Sequence, residues 1–119
     1  MTASIEISFL VPDTAKAEML ITPSRIFYCF ATCDTREDSE LPISTDQFVE
    51  LSSKIDEALT AAHVAARPID GMQCHVKISN GGDHVTTYDN STLSLAAVRN
   101  IISALTRFSE DFIFLRGFR

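Results

Sequence analysis

Alternating apolar and polar positions open the chain and predict its first strand. In the segment SIEISFLV, residues 4 to 11, apolar side chains occupy every second position, as in a strand with one buried face. The segment RIFYCFAT, residues 25 to 32, is apolar at successive positions and predicts a central strand. Residues 14 to 22 fit either a short helical turn or the first arm of a hairpin, and we favour the hairpin.

Apolar residues spaced three or four positions apart predict two amphipathic helices. The first follows Ser44 and Gln47, which are placed as in a capping box, and extends to about Ala66, before Pro68. Its apolar stripe consists of Phe48, Leu51, Ile55, Leu59 and Ala62. The second helix covers residues 93 to 108, where leucine, valine and isoleucine recur at the same spacing.

Two further segments, together with the hairpin described below, complete the predicted topology. Residues 33 to 42, CDTREDSELP, are polar and predict an irregular loop, whereas residues 112 to 118, FIFLRGF, predict a strand with apolar residues on both faces. We therefore expect a single α+β domain over residues 1 to 119. Its largely antiparallel sheet would have about five strands, with two helices packed on one face. The second sheet face would then carry apolar surface. Part of it would be covered by the ambiguous segment at residues 14 to 22, by a second copy or by another protein, or it would expose a few aromatic side chains.

The segment CHVKISNGGDHVTTYD, residues 74 to 89, predicts a β-hairpin. Its Asn-Gly dipeptide favours a two-residue turn, which pairs Val76 with Val85. His75 and His84 then lie on the same polar face as diagonal neighbours. If the Gly-Gly dipeptide forms the turn instead, the two histidines lie about four residues apart along the strands.

The two hairpin histidines, with Tyr88 nearby, form a candidate polar site. A histidine pair can hold one protonated and one neutral ring near neutral pH, as acid and base catalysis requires. However, no nucleophile adjoins the pair, and no glycine-rich phosphate loop opens a helix. Cys74 would face away from His75, so these residues do not converge on a metal ion. We assign no catalytic residue and expect no metal or cofactor; polar residues on the solvent side of a hairpin are the favoured interpretation.

Acidic residues are concentrated between residues 34 and 57. This segment has eight acidic and two basic residues, and its net charge of −6 equals the formal net charge of the chain. Such a block disfavours direct binding to nucleic acid or to an anionic membrane, and it favours a basic protein partner. The alternative is that these residues only confer solubility. The residues assigned to partner binding are Asp34, Glu37, Asp38, Glu40, Asp46, Glu50 and Glu57.

Cysteine usage and hydropathy indicate the compartment. Cys29, Cys33 and Cys74 are odd in number and lack C-x-x-C spacing, which argues against both a secreted disulfide framework and a zinc ribbon. The chain shows neither a signal segment nor an apolar stretch of the ~20 residues that span a bilayer. We therefore expect a soluble, cytoplasmic protein.

These properties predict a small acidic protein-binding module. In its size, its acidity and its lack of a catalytic motif, the chain is of the same kind as bacterial immunity proteins, although no motif identifies a family. Such an inhibitor would neutralise a basic toxin, for example a nuclease, by masking its active site. One alternative is a secretion-type chaperone, which would form a homodimer and hold an unfolded segment on apolar sheet surface. Another is a small enzyme or ligand-binding domain that uses His75 and His84.

Overall fold

The chain, as a computed structural model, is described over residues 3–61, 71–81 and 84–118. Its strands are β1 (Ser4–Val11), β2 (Ala15–Ile21), β3 (Arg25–Thr32), β4 (Arg36–Pro42), β5 (Gln73–Ser79) and β6 (Val85–Tyr88). Its helices are α1 (Thr45–Ala61), α2 (Leu95–Phe108) and a C-terminal 3₁₀ helix (Glu110–Phe118). The predicted end of the first helix, near Ala66, lies outside the described residues. No described helix combines the length and the apolar character needed to cross a membrane.

The six strands form one antiparallel sheet in the order β4-β3-β2-β1-β5-β6. The predicted α+β fold is confirmed, with six strands instead of about five. Residues 14 to 22 contain a strand, as the hairpin interpretation predicted. The turn before β2 has Asp13 at φ 61°, a left-handed conformation that aspartate tolerates better than most residues, and Thr14 N–H donates to the Val11 carbonyl at 3.0 Å.

One face of the sheet packs against the helices and forms the core. The predicted alternation in β1 is confirmed, because Ile5, Ile7 and Phe9 are buried on this face whereas the intervening residues are not. Helices α1 and α2 contribute their apolar stripes to the same cluster of buried side chains. The buried residues of the stripes include Phe48, Leu51, Ile55, Leu59, Val98, Ile101, Ile102 and Leu105. The opposite sheet face is not covered by any described helix, and we call it the open face.

Side-chain caps begin both α-helices. The predicted capping box is present: Ser44 N–H donates to Gln47 Oε1 at 2.9 Å, and Gln47 N–H donates to Ser44 Oγ at 3.1 Å. At the start of α2, the buried hydroxyl of Ser94 accepts a hydrogen bond from Ala97 N–H at 3.1 Å. These caps fix where each helix begins relative to the sheet.

The predicted strand at residues 112 to 118 is wrong, because this segment belongs to the 3₁₀ helix. Its buried residues are Phe112, Leu115 and Phe118, which repeat every three positions, the period of a 3₁₀ helix. Ser109 begins the turn: its hydroxyl accepts from Asp111 N–H at 3.1 Å, and its carbonyl accepts from Phe112 N–H at 3.2 Å. The run of apolar residues hid this period, since almost any spacing can be read from it.

The predicted irregular loop at residues 33 to 42 is wrong for residues 36 to 42, which form the edge strand β4. A tight turn joins it to β3, in which Thr32 N–H donates to the Thr35 carbonyl at 2.8 Å and Thr35 N–H donates to Thr32 Oγ1 at 3.2 Å. Only Leu41 among the β4 residues is partly buried. The strand therefore exists through backbone pairing, and no apolar alternation in its sequence reveals it.

The pairing that the Asn-Gly dipeptide predicted between β5 and β6 is also wrong. Val76 lies opposite Tyr88 instead of Val85, a shift of three residues. The turn is longer than two residues, because Asn80 N–H donates to the His84 carbonyl at 3.0 Å. A register shift by an odd number of residues moves each side chain of a strand to the other face of the sheet. Val85 consequently lies on the open face and is 48% exposed.

Candidate functional site

A row of polar side chains crosses the middle of the open face. The strand register places Asp38, Cys29, Glu18, Ser8 and His75 side by side on β4, β3, β2, β1 and β5. These residues line a shallow depression of about 550 Å³, whose apolar floor includes Phe27 and Leu20. The depression is open to solvent, and Phe27 is 41% exposed.

Ion pairs balance the charge of the open face. In the described part of the chain they are Lys16–Glu18 at 2.8 Å, Arg25–Glu40 at 3.3 Å, Arg36–Asp38 at 3.3 Å and Lys77–Glu6 at 3.8 Å. Every partner is between 43% and 69% exposed, so solvent screens each pair and each contributes little to stability. The four carboxylates and four basic groups of these pairs have a combined charge of zero.

Four of the predicted partner-binding residues lie together on β4 and the turn before it. Asp34 is in the turn, Glu37 points to the helix side of the sheet, and Asp38 and Glu40 point to the open face. All four are exposed. Asp38 and Glu40 are paired with arginines, whereas no described basic side chain lies within ion-pair distance of the Asp34 or Glu37 carboxylates. The sheet edge therefore carries uncompensated negative charge.

The other three predicted partner-binding residues lie on α1. Asp46 is in the first helical turn, where the helix dipole favours a carboxylate. Glu50 and Glu57 line a groove of about 620 Å³ between α1 and α2, together with Lys54 and Arg107. The structure thus places four of the seven acidic residues on β4 and the turn before it, and the other three on α1.

The predicted histidine pair is not formed. His75 lies on β5 opposite Ser8, on the open face, whereas His84 precedes β6 and lies beside Asn80. The observed register places the two histidines on opposite sides of the hairpin. Tyr88 points to the helix side, because it lies opposite the buried Val76. The three side chains therefore do not converge on one solvent-accessible point.

The charged neighbour of His75 is Asp89, which follows β6. The Ser91 hydroxyl and backbone N–H donate to the Asp89 carboxylate and are the main causes that lower the pKa of Asp89. An electrostatic interaction with His75 lowers that pKa further. This juxtaposition follows from the register shift and was not apparent from the sequence.

Cys29 is a candidate nucleophile that sequence reasoning did not single out. Burial raises its pKa, and the neighbouring Asp38 carboxylate raises it further, so the protonated thiol is favoured at neutral pH. The nearest candidate base on this row, His75, is three strand spacings away, about 14 Å. A Cys-His pair for nucleophilic catalysis is therefore not formed by these residues. Across the described ranges, no three histidine, cysteine or acidic side chains converge as metal ligands.

Comparison with known proteins does not assign the chain to a family. No protein-family model matches it, and no curated protein matches it closely enough to indicate a relationship. A functional proposal consequently depends on the surface features of the molecule itself.

Proposed function

We propose that the chain is a cytoplasmic protein-binding module that inhibits a basic toxin, such as a nuclease, by covering its active site. The observation that carries this proposal is the exposed edge strand β4, with Asp38 and Glu40 on one face and Glu37 on the other. Nuclease active sites hold phosphate with lysine and arginine, and carboxylates can occupy the same positions as substitute anions.

The charge distribution supports binding to a basic partner at this edge. Since no basic side chain in the described ranges pairs with Asp34 or Glu37, both carboxylates can pair with a partner's basic groups. Asp38 and Glu40 can exchange their exposed arginine partners at small cost, since such surface pairs are weak. The carboxylates of α1 extend the negative potential and would accelerate the approach of a basic protein. The three free cysteine thiols agree with a reducing compartment.

The proposal is tested by capture followed by an inhibition assay. The tagged chain is incubated with a lysate of its source organism, and any captured protein is purified and assayed for hydrolysis of DNA and RNA, with and without the chain. We expect a basic partner whose hydrolytic activity is lost at an equimolar ratio. A captured partner whose activity is unchanged, or one without a basic surface, would contradict the inhibitor proposal.

A charge-reversal pair locates the binding surface. Glu37→Lys should weaken partner binding by about tenfold or more, because it replaces an attractive charge with a repulsive one. Glu110→Lys makes the same charge change at an exposed position of the 3₁₀ helix and serves as the matched control. Equal affinities of the two variants would exclude β4 as the main contact.

A second candidate, the dimeric secretion-type chaperone, is favoured by one observation. The open face exposes Phe27 within an otherwise charge-balanced surface, and a second copy or an unfolded segment could cover it. Light scattering should then show a dimer that Phe27→Ser converts to a monomer. A monomeric wild-type protein at micromolar concentration would contradict this candidate.

A further inference from the structure

Among the described strands, β4 lies at the edge of the sheet and pairs with β3 alone, and this ladder defines which of its backbone groups are used. At one end, Thr32 N–H donates to the Thr35 carbonyl at 2.8 Å. At the other end, Ile43 N–H donates to the Ser24 carbonyl at 3.0 Å. Hydrogen-bonded positions alternate along an antiparallel strand. Residues 37, 39 and 41 therefore bond to β3.

The intervening residues of β4 direct their backbone groups away from the sheet. Arg36, Asp38 and Glu40 present outward N–H and C=O groups, and their side chains lie on the open face. Pro42 closes this edge, since proline has no N–H to donate. The row of outward groups has the geometry to pair with one further extended segment.

The charges on β4 determine which charges the added segment can carry. In a fully overlapped antiparallel pair of two β4 strands, Asp38 of each copy would lie opposite Glu40 of the other. Like charges directly opposite each other are destabilising, which disfavours this self-pairing. A segment with lysine or arginine at alternate positions would instead place a positive charge beside each carboxylate.

We propose that β4 accepts an extended basic segment of the partner protein as a seventh strand of the sheet. Lysine or arginine residues two positions apart would lie opposite Asp38 and Glu40, and their side chains would project onto the open face. Arg36 favours a neutral or acidic residue opposite it, so the charge pattern of the segment sets its register. This inference rests on the proposed function and specifies how the basic partner is bound.

A matched pair of variants separates backbone pairing from charge. Asp38→Ala and Asp38→Pro remove the same carboxylate, but only the proline variant lacks the outward N–H. The ladder to β3 is formed by the neighbouring residues, so thermal unfolding should show both variants folded. The probe is a short, capped peptide of alternating lysine and valine at low ionic strength. We expect Asp38→Pro to bind it about tenfold more weakly than Asp38→Ala.

Equal affinities of the two variants, or no binding of the peptide to the wild-type chain, would overturn strand addition. If Asp38→Pro does not fold, the same comparison is made on the wild-type chain with a peptide methylated at alternate backbone nitrogens. Methylation keeps the charge and removes the donors on one edge. An unchanged affinity of the methylated peptide would also overturn the proposal.

Hydrogen exchange measured by NMR gives a positional readout. On peptide binding, exchange of the amides of Arg36, Asp38 and Glu40 should slow by about tenfold or more, while residues 37, 39 and 41 change little. Protection located elsewhere would overturn the inference.

Failure of strand addition and failure of the inhibitor proposal are distinguishable with the captured partner. A partner weakened by Glu37→Lys but equally bound by the two Asp38 variants keeps the inhibitor proposal and excludes strand addition.

Discussion

The side-chain oxygen of Asn90 accepts a hydrogen bond from the backbone N–H of Cys74 at 2.7 Å. The Asn90 side-chain nitrogen donates to the Met72 carbonyl, also at 2.7 Å. Strand β6 ends at Tyr88, opposite Val76, so its ladder does not extend to the beginning of β5. The Asn90 side chain acts there as a peptide group would and completes the pairing of the buried end of β5.

We expect Asn90→Ala to destabilise the protein by about 1–3 kcal/mol, because it leaves a partly buried donor and acceptor on β5 without partners. The control is Asn100→Ala, at an exposed position of α2, which should change the free energy of unfolding by no more than about 0.5 kcal/mol. Urea denaturation measures both. Equal effects of the two substitutions would show that the Asn90 hydrogen bonds do not stabilise the fold.

A second pair of substitutions tests the 3₁₀ helix at the C-terminus. Phe112 is fully buried, and its ring meets that of Tyr28 edge-on at 5.0 Å between centroids. Phe112→Ala should cost about 3–5 kcal/mol. Ile113 is 55% exposed, so Ile113→Ala should cost less than about 1 kcal/mol.

Leu115 is a third position at which an alanine substitution distinguishes the 3₁₀ helix from the predicted strand. In the 3₁₀ helix, Leu115 shares the buried face of Phe112, whereas in a strand it would lie on the opposite face, with Ile113. Leu115→Ala should therefore resemble Phe112→Ala in its effect on unfolding. A mild effect at Leu115 combined with a strong one at Phe114 would instead support the strand.

The parts of the fold that sequence predicted correctly are those in which burial imposes a period. Strand β1 alternates because one face meets the helices, and Ser44 and Gln47 mark the beginning of α1 because unsatisfied amides need partners. The failures have the opposite cause. Strand β4 buries too little to alternate, and residues 112 to 118 are too uniformly apolar to show a period.

The candidate site was predictable in composition but not in arrangement. The acidic block is visible in the sequence, and its residues are exposed. Its division between an edge strand and a helix depends on backbone pairing that the side chains of β4 do not encode. The separation of His75 from His84 depends on the length of one turn, since an odd shift in register exchanges the faces of β6.

Thiol labelling should rank the three cysteines by their surroundings. Cys33 is exposed and should react first with a thiol reagent at mildly alkaline pH. Burial raises the pKa of Cys74 to about 12, so it should react only after unfolding. Mass spectrometry of partly labelled protein measures the order. Rapid modification of Cys74 in the folded protein would contradict the burial of β5.

Cys29 should react at an intermediate rate that depends on Asp38. Burial is the larger cause of its raised pKa, and the Asp38 carboxylate adds to it. Asp38→Asn should lower that pKa part of the way toward its ordinary value and accelerate labelling of Cys29 at a fixed pH. Labelling of Cys33 in the same variant is the internal control. An unchanged ratio of the two rates would show that Asp38 does not influence the thiol.

Acid should weaken the fold partly through Asp89. Hydrogen bonds from the Ser91 hydroxyl and N–H lower its pKa below the ordinary 3.8 in the folded state. A depressed folded-state pKa means that the stabilisation is fully present above the unfolded-state value and is lost as pH falls through the folded-state value. Urea unfolding across this acidic range should therefore show a smaller loss of stability for Asp89→Asn than for the wild-type chain. Asp56→Asn removes a carboxylate from the exposed surface of α1 and is the control. If the wild-type chain and Asp89→Asn lose the same stability on acidification, the Asp89 turn does not favour the charged carboxylate.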